Sequence, residues 1–242
     1  MSKPFAVFDI DGTLIRWQLY HAITDGLVKA GYADPQAFIP VKEARMNWKR
    51  RETNDAFSEY EKYLIDAFED ILMNLAPEQL DEVTDEIFEE YKDQVYSYTR
   101  DLLKLLKDKG YFLLAISGSQ IEIVGKIAQY YGFDDCVGTV YEQVDGKFTG
   151  QKIIGSADKA NTLTKLMERH GLNFEGSFAV GDSASDISML RMVAKPIAFN
   201  PEKALYEAAS IGKWKIVLER KNMIYELEAG DGNYQLVKTN AG

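Results

Sequence analysis

The sequence predicts an α/β protein in which a Rossmann-like parallel sheet carries a helical insertion after its first strand. Three observations predict it. Phe5-Ala-Val-Phe8 is a short continuous apolar run that ends in Asp9 and Asp11, as a buried parallel strand leading into a site would. From about residue 98 onward, short apolar runs alternate with stretches of helical periodicity, the order expected of a parallel sheet covered on both faces. Residues 17–96 lie between these parts and hold 8 Lys/Arg against 18 Asp/Glu, so the whole net charge of −10 falls there. The expected division is a core of residues 1–16 and 97–242, with residues 17–96 as an inserted helical lid.

Each element has its own signal. After the first strand, a helix over about 18–30 stops near Gly31, and another covers about 35–52. Phe57, Tyr60, Leu64, Phe68, Ile71 and Leu75 recur at helical spacing. Ile87, Phe88, Tyr91 and Val95 do so again after Pro77, a first-turn proline. The acids between them form a solvated face. Leu102 to Lys109 reads as a helix ending at Gly110, Phe112 to Ile116 as a buried strand, and 120–131 as a helix ending at Gly132. Val137 to Val144, Asp145-Gly146 and Lys147 to Thr149 spell a hairpin with a tight turn. A helix over 158–170, a strand over Ser177–Val180, a helix over 186–192 and a strand over Pro196–Phe199 complete the alternation. The tail after Leu236 is expected to fray.

Composition removes several function classes. A net charge of −10 disfavours nucleic acid as a partner, because its phosphates would be repelled. The single cysteine, Cys136, excludes a disulfide framework and a thiolate metal cage; it fits a reducing compartment and a small buried side chain. Only two histidines occur, His21 and His170, so a three-histidine zinc site is impossible; both are expected on helix surfaces. No apolar stretch approaches ~18 residues, and no signal-peptide pattern opens the chain. The expectation is a cytoplasmic protein without a membrane partner.

The polar residues cluster at the predicted strand ends. Asp9 and Asp11 are two apart, so in a strand both carboxylates point the same way. Their repulsion is tolerable only with a cation or a shared proton. Ser117-Gly118-Ser119 ends the second strand just before a helix; it reads as an anion site or, taken alone, as a helix cap. Gly181-Asp182-Ser183-Ala184-Ser185-Asp186 places two more acids at a strand tip, which alone could cap a helix. Beside Asp9 and Asp11 they suit Mg2+, which takes carboxylates, carbonyls and waters. Lys159 lies near a helix start, where the dipole disfavours a cation, so an anion is expected nearby. Asn200 precedes Pro201 at a strand tip and reads equally as a turn residue or as a group ordering a water or an acid.

These clusters, in this order, resemble the four signatures of the haloacid dehalogenase superfamily. Asp9-Ile10-Asp11-Gly12-Thr13 matches the first, Ser117 the second, Lys159 the third, and Gly181-Asp182-Ser183 with Asp186 the fourth. The insertion after the first signature is similar to the C1-type cap of subfamily IB, the relatives of phosphoserine phosphatase. The resemblance implies a Mg2+-dependent phosphatase acting on a small phosphorylated metabolite through an aspartyl-phosphate. In that scheme Asp9 is the nucleophile. Asp11 is the acid and base, in surroundings that raise its pKa. Ser117, Gly118 and Lys159 hold the phosphoryl group. The ion is held by Asp9, the main-chain carbonyl of Asp11, Asp182 and Asp186.

Two positions depart from the phosphoserine phosphatase pattern. Gly12 stands where those enzymes usually carry serine. Gln18 stands where they usually carry the glutamate that meets the substrate's amine, and a neutral amide offers no counter-charge, which argues against phosphoserine. A basic cluster in the lid, Lys42, Arg45, Lys49, Arg50 and Arg51 with Trp48, reads as a solvated face paired with Glu43 and Glu52. Its functional alternative is that Arg45 or Lys49 grips a second anionic group of the substrate. Trp17 and Tyr20 either wall the pocket or pack the lid's core. Three other activities share parts of this pattern: a phosphotransferase with the same intermediate, a receiver phosphorylated on aspartate without turnover, and an inactive binding scaffold. Receivers are much shorter and lack a lid, and every expected catalytic position of the scheme is filled.

Overall fold

The computed structural model describes residues 3–53, 55–231 and 233–241. The chain forms two compact units. The first comprises Met1–Gln18, Glu90–Thr139 and Ile154–Gly242; the second comprises Leu19–Glu89 and Val140–Ile153.

The first unit is built on a twisted sheet. Strand β1 (Pro4–Phe8) lies at its centre, with parallel neighbours β2 (Phe112–Gln120) on one side and β5 (Asn173–Gly181) on the other. β3 (Asp135–Val144) continues the sheet beyond β2, and β6 (Lys195–Phe199) and β7 (Lys215–Arg220) continue it beyond β5, all parallel. The chain runs outward from β1 through β2 and β3 and then crosses back to β5 on the other side of β1, which makes a topological switch point, where ligands of open α/β sheets bind beyond the strands' carboxyl ends. Asp9 follows β1 directly. Helices α5 (Ser97–Asp108), α6 (Ile121–Tyr131), α7 (Lys159–His170), the short α8 (Ile187–Leu190) and α9 (Lys203–Gly212) accompany the strands. Phe5, Val7, Leu114, Ile116, Ala179 and Ala198 from four strands close a core with Leu163, Leu166 and Leu190. Each of the larger side chains, the alanines aside, contributes about 1.5–3 kcal/mol when fully buried.

The second unit holds α1 (Leu19–Lys29), α2 (Ile39–Arg50), α3 (Ala56–Leu72) and α4 (Pro77–Tyr91). Its core includes Ile23, Leu27, Tyr60, Leu64, Phe68, Leu80 and Val83, of which Tyr60, Leu64 and Phe68 are positions that the helical spacing selects. The hairpin arm belongs with these helices. β4 (Lys147–Ile153) pairs antiparallel with the far part of β3, and Asp145 and Gly146 take φ of 50° and 73°, the left-handed pair that a tight hairpin turn requires. The Tyr141 and Tyr20 hydroxyls meet at 3.1 Å, and Lys152 pairs with Glu69 of α3. Charge counting along the chain does not reveal this arm, because its attachment is long-range.

Several expectations need correction. Val95 is not helical; it is extended and bridges Ile15, because the chain must return into the sheet unit there. The helix expected over 186–192 is a single 3-10 turn (Ala184–Asp186) followed by the short α8. The tail does not fray: β8 (Met223–Ala229) and β9 (Tyr234–Ala241) extend the sheet antiparallel from β7, with Met223 opposite Ala241. His21 is buried, not superficial; its ring meets Tyr60 edge-on at 4.9 Å, and burial beside Arg45 lowers its pKa to about 3, so it is neutral. His170 pairs with Asp135 at 2.7 Å. Cys136 is half-buried.

Candidate active site

Three strand ends and one helix start bring the polar residues together. Asp9 leaves β1 with its N–H on the Val180 carbonyl of β5, 3.0 Å away, which fixes its backbone between the two strands. The next residues fold back tightly. The N–H groups of Leu14 and Ile15 both donate to the Ile10 carbonyl at 2.9 Å, and Gly12 donates to Ile15 at 3.0 Å. Gly12 has φ of +80°, and a Cβ there would stand 2.4 Å from Asp182 Oδ2. With this backbone and Asp182 so placed, a Cβ would be strained and would require the Asp182 side chain to shift.

The two acids of the first motif have different partners. Asp9 is 6% exposed and its Oδ1 accepts from Lys159 Nζ at 2.7 Å. Asp11 accepts from two hydroxyls: Ser117 Oγ donates to Oδ2 at 2.6 Å and Ser119 Oγ to Oδ1 at 3.1 Å. One carboxylate is thus held by a cation, the other by neutral donors. Ser119 belongs to the stretch that reads as an anion site or a helix cap, and its hydroxyl here meets an acid instead. That contact follows from β2 running to Gln120, since residues 117 and 119 then face the same side of the strand.

Lys159 begins α7 and is 2% exposed. Its ammonium also donates to Asp186 Oδ1 at 2.6 Å and to the Ile116 carbonyl at 3.1 Å, so three acceptors meet its three protons. Burial alone would pull its pKa down, but Asp186 and Asp9 hold it above the ordinary lysine value. The anion expected near this helix start is therefore present twice over. Asp186 is fully buried; its Oδ2 accepts the N–H groups of Asp182 and Ser183, each at 3.0 Å, and ties down the loop after β5. Asp182 accepts from Thr13 Oγ1 at 3.1 Å. The two residues are 169 positions apart, so no local pattern reveals this role of Thr13.

Oxygens of Asp9, Asp182 and Asp186 lie within 4.8 Å of one another. Burial, opposed by Lys159 and reinforced by Asp186 and Asp11, raises Asp9 to about 7. Burial with the charges of Asp9 and Asp186 raises Asp182 to about 9. An all-oxygen set whose members repel one another fits a hard divalent cation such as Mg2+, which would cancel the repulsion. The carboxylate of Asp11 is outside this group.

A stability prediction follows. Asp9 and Asp182 bind protons more tightly folded than unfolded, so the fold should lose stability as pH rises from about 4 towards 9 in chelator. Melting temperatures with and without Mg2+ check this: Mg2+ should flatten the slope, and Asp182→Asn should remove part of it in chelator. A slope identical in Asp182→Asn and the parent would contradict the account.

Other expected residues lie elsewhere. Gly118 is exposed beside Ser117, and a Cβ on it would approach Ser156 Oγ to 3.1 Å. Gln18 is half-buried just before α1. Asn200, with φ of +41°, accepts the Glu219 N–H at 2.8 Å and hydrogen-bonds Tyr96, so it ties β6 to β7 and to the segment before α5. Arg45 of the second unit is engaged: Nη2 binds both oxygens of Asp25 at 2.9 and 2.8 Å, and Nε donates to Tyr60 Oη at 2.8 Å.

The sequence pattern of the haloacid dehalogenase-like hydrolases matches residues 6–191, most of the chain and all four clusters. The chain belongs to this family. This hydrolase is 29% identical over 218 residues to a phosphoserine phosphatase, SerB1, of Mycobacterium tuberculosis, covering 87% of this chain and 69% of that one. It is 25% identical over 229 residues to a histidinol-phosphatase of Neisseria meningitidis, covering 89% and 98%. Its fold is similar to that of a phosphoserine phosphatase in a phospho-aspartyl intermediate analogue, with a TM-score of 0.61 at 24% identity, over 91% of this chain and 95% of the other.

Proposed function

We propose that this hydrolase is a Mg2+-dependent phosphatase that hydrolyses a small phosphomonoester through an aspartyl-phosphate on Asp9. The observation that carries the reading is the unequal treatment of two neighbouring carboxylates. Asp9 is buried against a fixed ammonium, and Asp11 sits on two hydroxyls. The ammonium favours the ionised form of Asp9 for attack, and the hydroxyls beside Asp11 can turn to donate or accept, so they can accompany it through both protonation states.

Asp9 attacks phosphorus and displaces the alcohol, splitting one hard displacement into two easier ones. Asp11 gives its proton to the leaving oxygen and then takes one from the water that cleaves the acyl phosphate. Lys159, with the donors at Ser117 and Gly118, binds the phosphoryl oxygens. A carboxylate approaching a phosphate faces repulsion of about 4 kcal/mol per charge pair at ~4 Å and an effective dielectric of ~20. That energy corresponds to roughly three orders of magnitude in rate. Asp9, Asp182, Asp186 and the Asp11 carbonyl would hold Mg2+, which supplies positive charge against that repulsion. The second unit is read as the C1-type cap.

The substrate need not be phosphoserine. Relatives of comparable similarity are named for phosphoserine and for histidinol phosphate. Gln18 replaces the glutamate that would meet an amine. Release of p-nitrophenol from p-nitrophenyl phosphate tests the reaction class: we expect turnover with Mg2+ and its loss in chelator. Turnover that is indifferent to chelation would refute the role of the ion.

A further inference from the structure

One cation near the strand ends has no part in the chemistry above. Arg16 follows the tight loop of the first motif and is held from both flanks. Ile15 bridges Asp11 on one side and Val95 on the other, and the Arg16 N–H donates to the Gln94 carbonyl at 2.8 Å. Its side chain is exposed, and its guanidinium lies over the Tyr96 ring, 5.3 Å from the centroid. Tyr96 packs edge-on against Phe199 at 4.9 Å and hydrogen-bonds Asn200. Phe199 ends β6, and Asn200 follows it. β6 lies beside β5, with Ala198 opposite Gly181, the residue before Asp182. Arg16 is thus presented at the same end of the sheet as the four acids.

Among the described residues Arg16 has no carboxylate partner. Arg45, Arg50, Arg100 and Arg169, by contrast, each pair with an acid. A guanidinium resting on an aromatic face keeps its in-plane N–H donors available, in a fork that fits a carboxylate or phosphate. Tyr96 therefore holds the cation in place while leaving its donors free.

We propose that Arg16 is a specificity-determining residue that favours phosphomonoesters whose organic part carries a second anionic group. The inference rests on the phosphatase reading. It identifies the substrate class as phosphorylated acids over phosphorylated neutral alcohols.

The test uses the full chain with Mg2+ and two competitors of p-nitrophenyl phosphate hydrolysis. These are 3-phosphoglycerate and glycerol 3-phosphate, which differ by a carboxylate against a hydroxymethyl group. Inhibition constants serve whether or not either ester is turned over. The parent should bind 3-phosphoglycerate about tenfold more tightly, the scale of one charge-assisted contact. Arg16→Gln should bring the ratio close to one, and Arg16→Lys, which keeps the charge, should retain part of it. A ratio that Arg16→Gln leaves unchanged, or a parent ratio near one, overturns the assignment of Arg16 and leaves the phosphatase reading intact. Absence of p-nitrophenyl phosphate hydrolysis overturns the phosphatase reading itself. Arg16 is exposed, so circular dichroism of the variants should match the parent.

Discussion

Asp9→Asn should lower turnover of any phosphomonoester by at least about four orders of magnitude, the scale of removing a covalent nucleophile. The amide is nearly isosteric with the carboxylate but cannot attack phosphorus. It should also leave the fold intact. Asp9 is repelled by its acidic neighbours, and burial raises its pKa to about 7, so losing that charge relieves strain between like charges while costing one ion pair with Lys159. Lys159 keeps Asp186 as its partner. We expect a melting temperature close to the parent's in chelator, with a smaller rise on adding Mg2+. Parent-level turnover by Asp9→Asn, measured by phosphate release, would remove the nucleophile assignment.

Lys159→Ala should act on both chemistry and stability. Truncation leaves two buried carboxylates without their shared cation, and breaking a buried ion pair on one side costs about 3–5 kcal/mol. The melting temperature in chelator should therefore fall, and Mg2+ should recover part of it by supplying positive charge to the same oxygens. In steady-state kinetics the loss should be about 10²–10³-fold in kcat, the range for removing one donor to a developing charge. A change confined to KM would mean that Lys159 binds ground state and transition state alike. The split separates a role in the chemical step from simple attraction of an anion.

Much of this architecture is legible in the residues because the local and global signals agree. The β1 run, the helices closed by Gly31 and Gly132, and the Asp145-Gly146 turn follow from periodicity and turn chemistry. Asp9, Asp182, Asp186 and Lys159 converge because each sits beyond a parallel strand or at a helix start, so the topology alone gathers them. What was not legible depends on long-range pairing. The exception is local: β7, β8 and β9 pair as neighbours in sequence, with the turn-rich run Gly230-Asp231-Gly232-Asn233 between the last two, a signal from which these strands can be read. Val95 continues a helical pattern but is pulled out by its bridge to Ile15. The engagement of Arg45 by Asp25 joins α2 to α1, and no spacing rule within one helix reveals it. His21 is buried because its ring fills the aromatic cluster around Tyr60, a preference that sequence position does not encode.

The most direct measurement is mass spectrometry of the protein acid-quenched during turnover in ¹⁸O-labelled water. The account predicts a transient mass increase of one phosphoryl group on the peptide containing Asp9 and one solvent ¹⁸O in each phosphate released, because water attacks phosphorus and the Asp9 carboxylate departs with its own oxygens. Phosphate released with solvent oxygen, while that peptide never carries phosphorus at any point in the turnover, would show that water attacks the ester directly and would contradict the account.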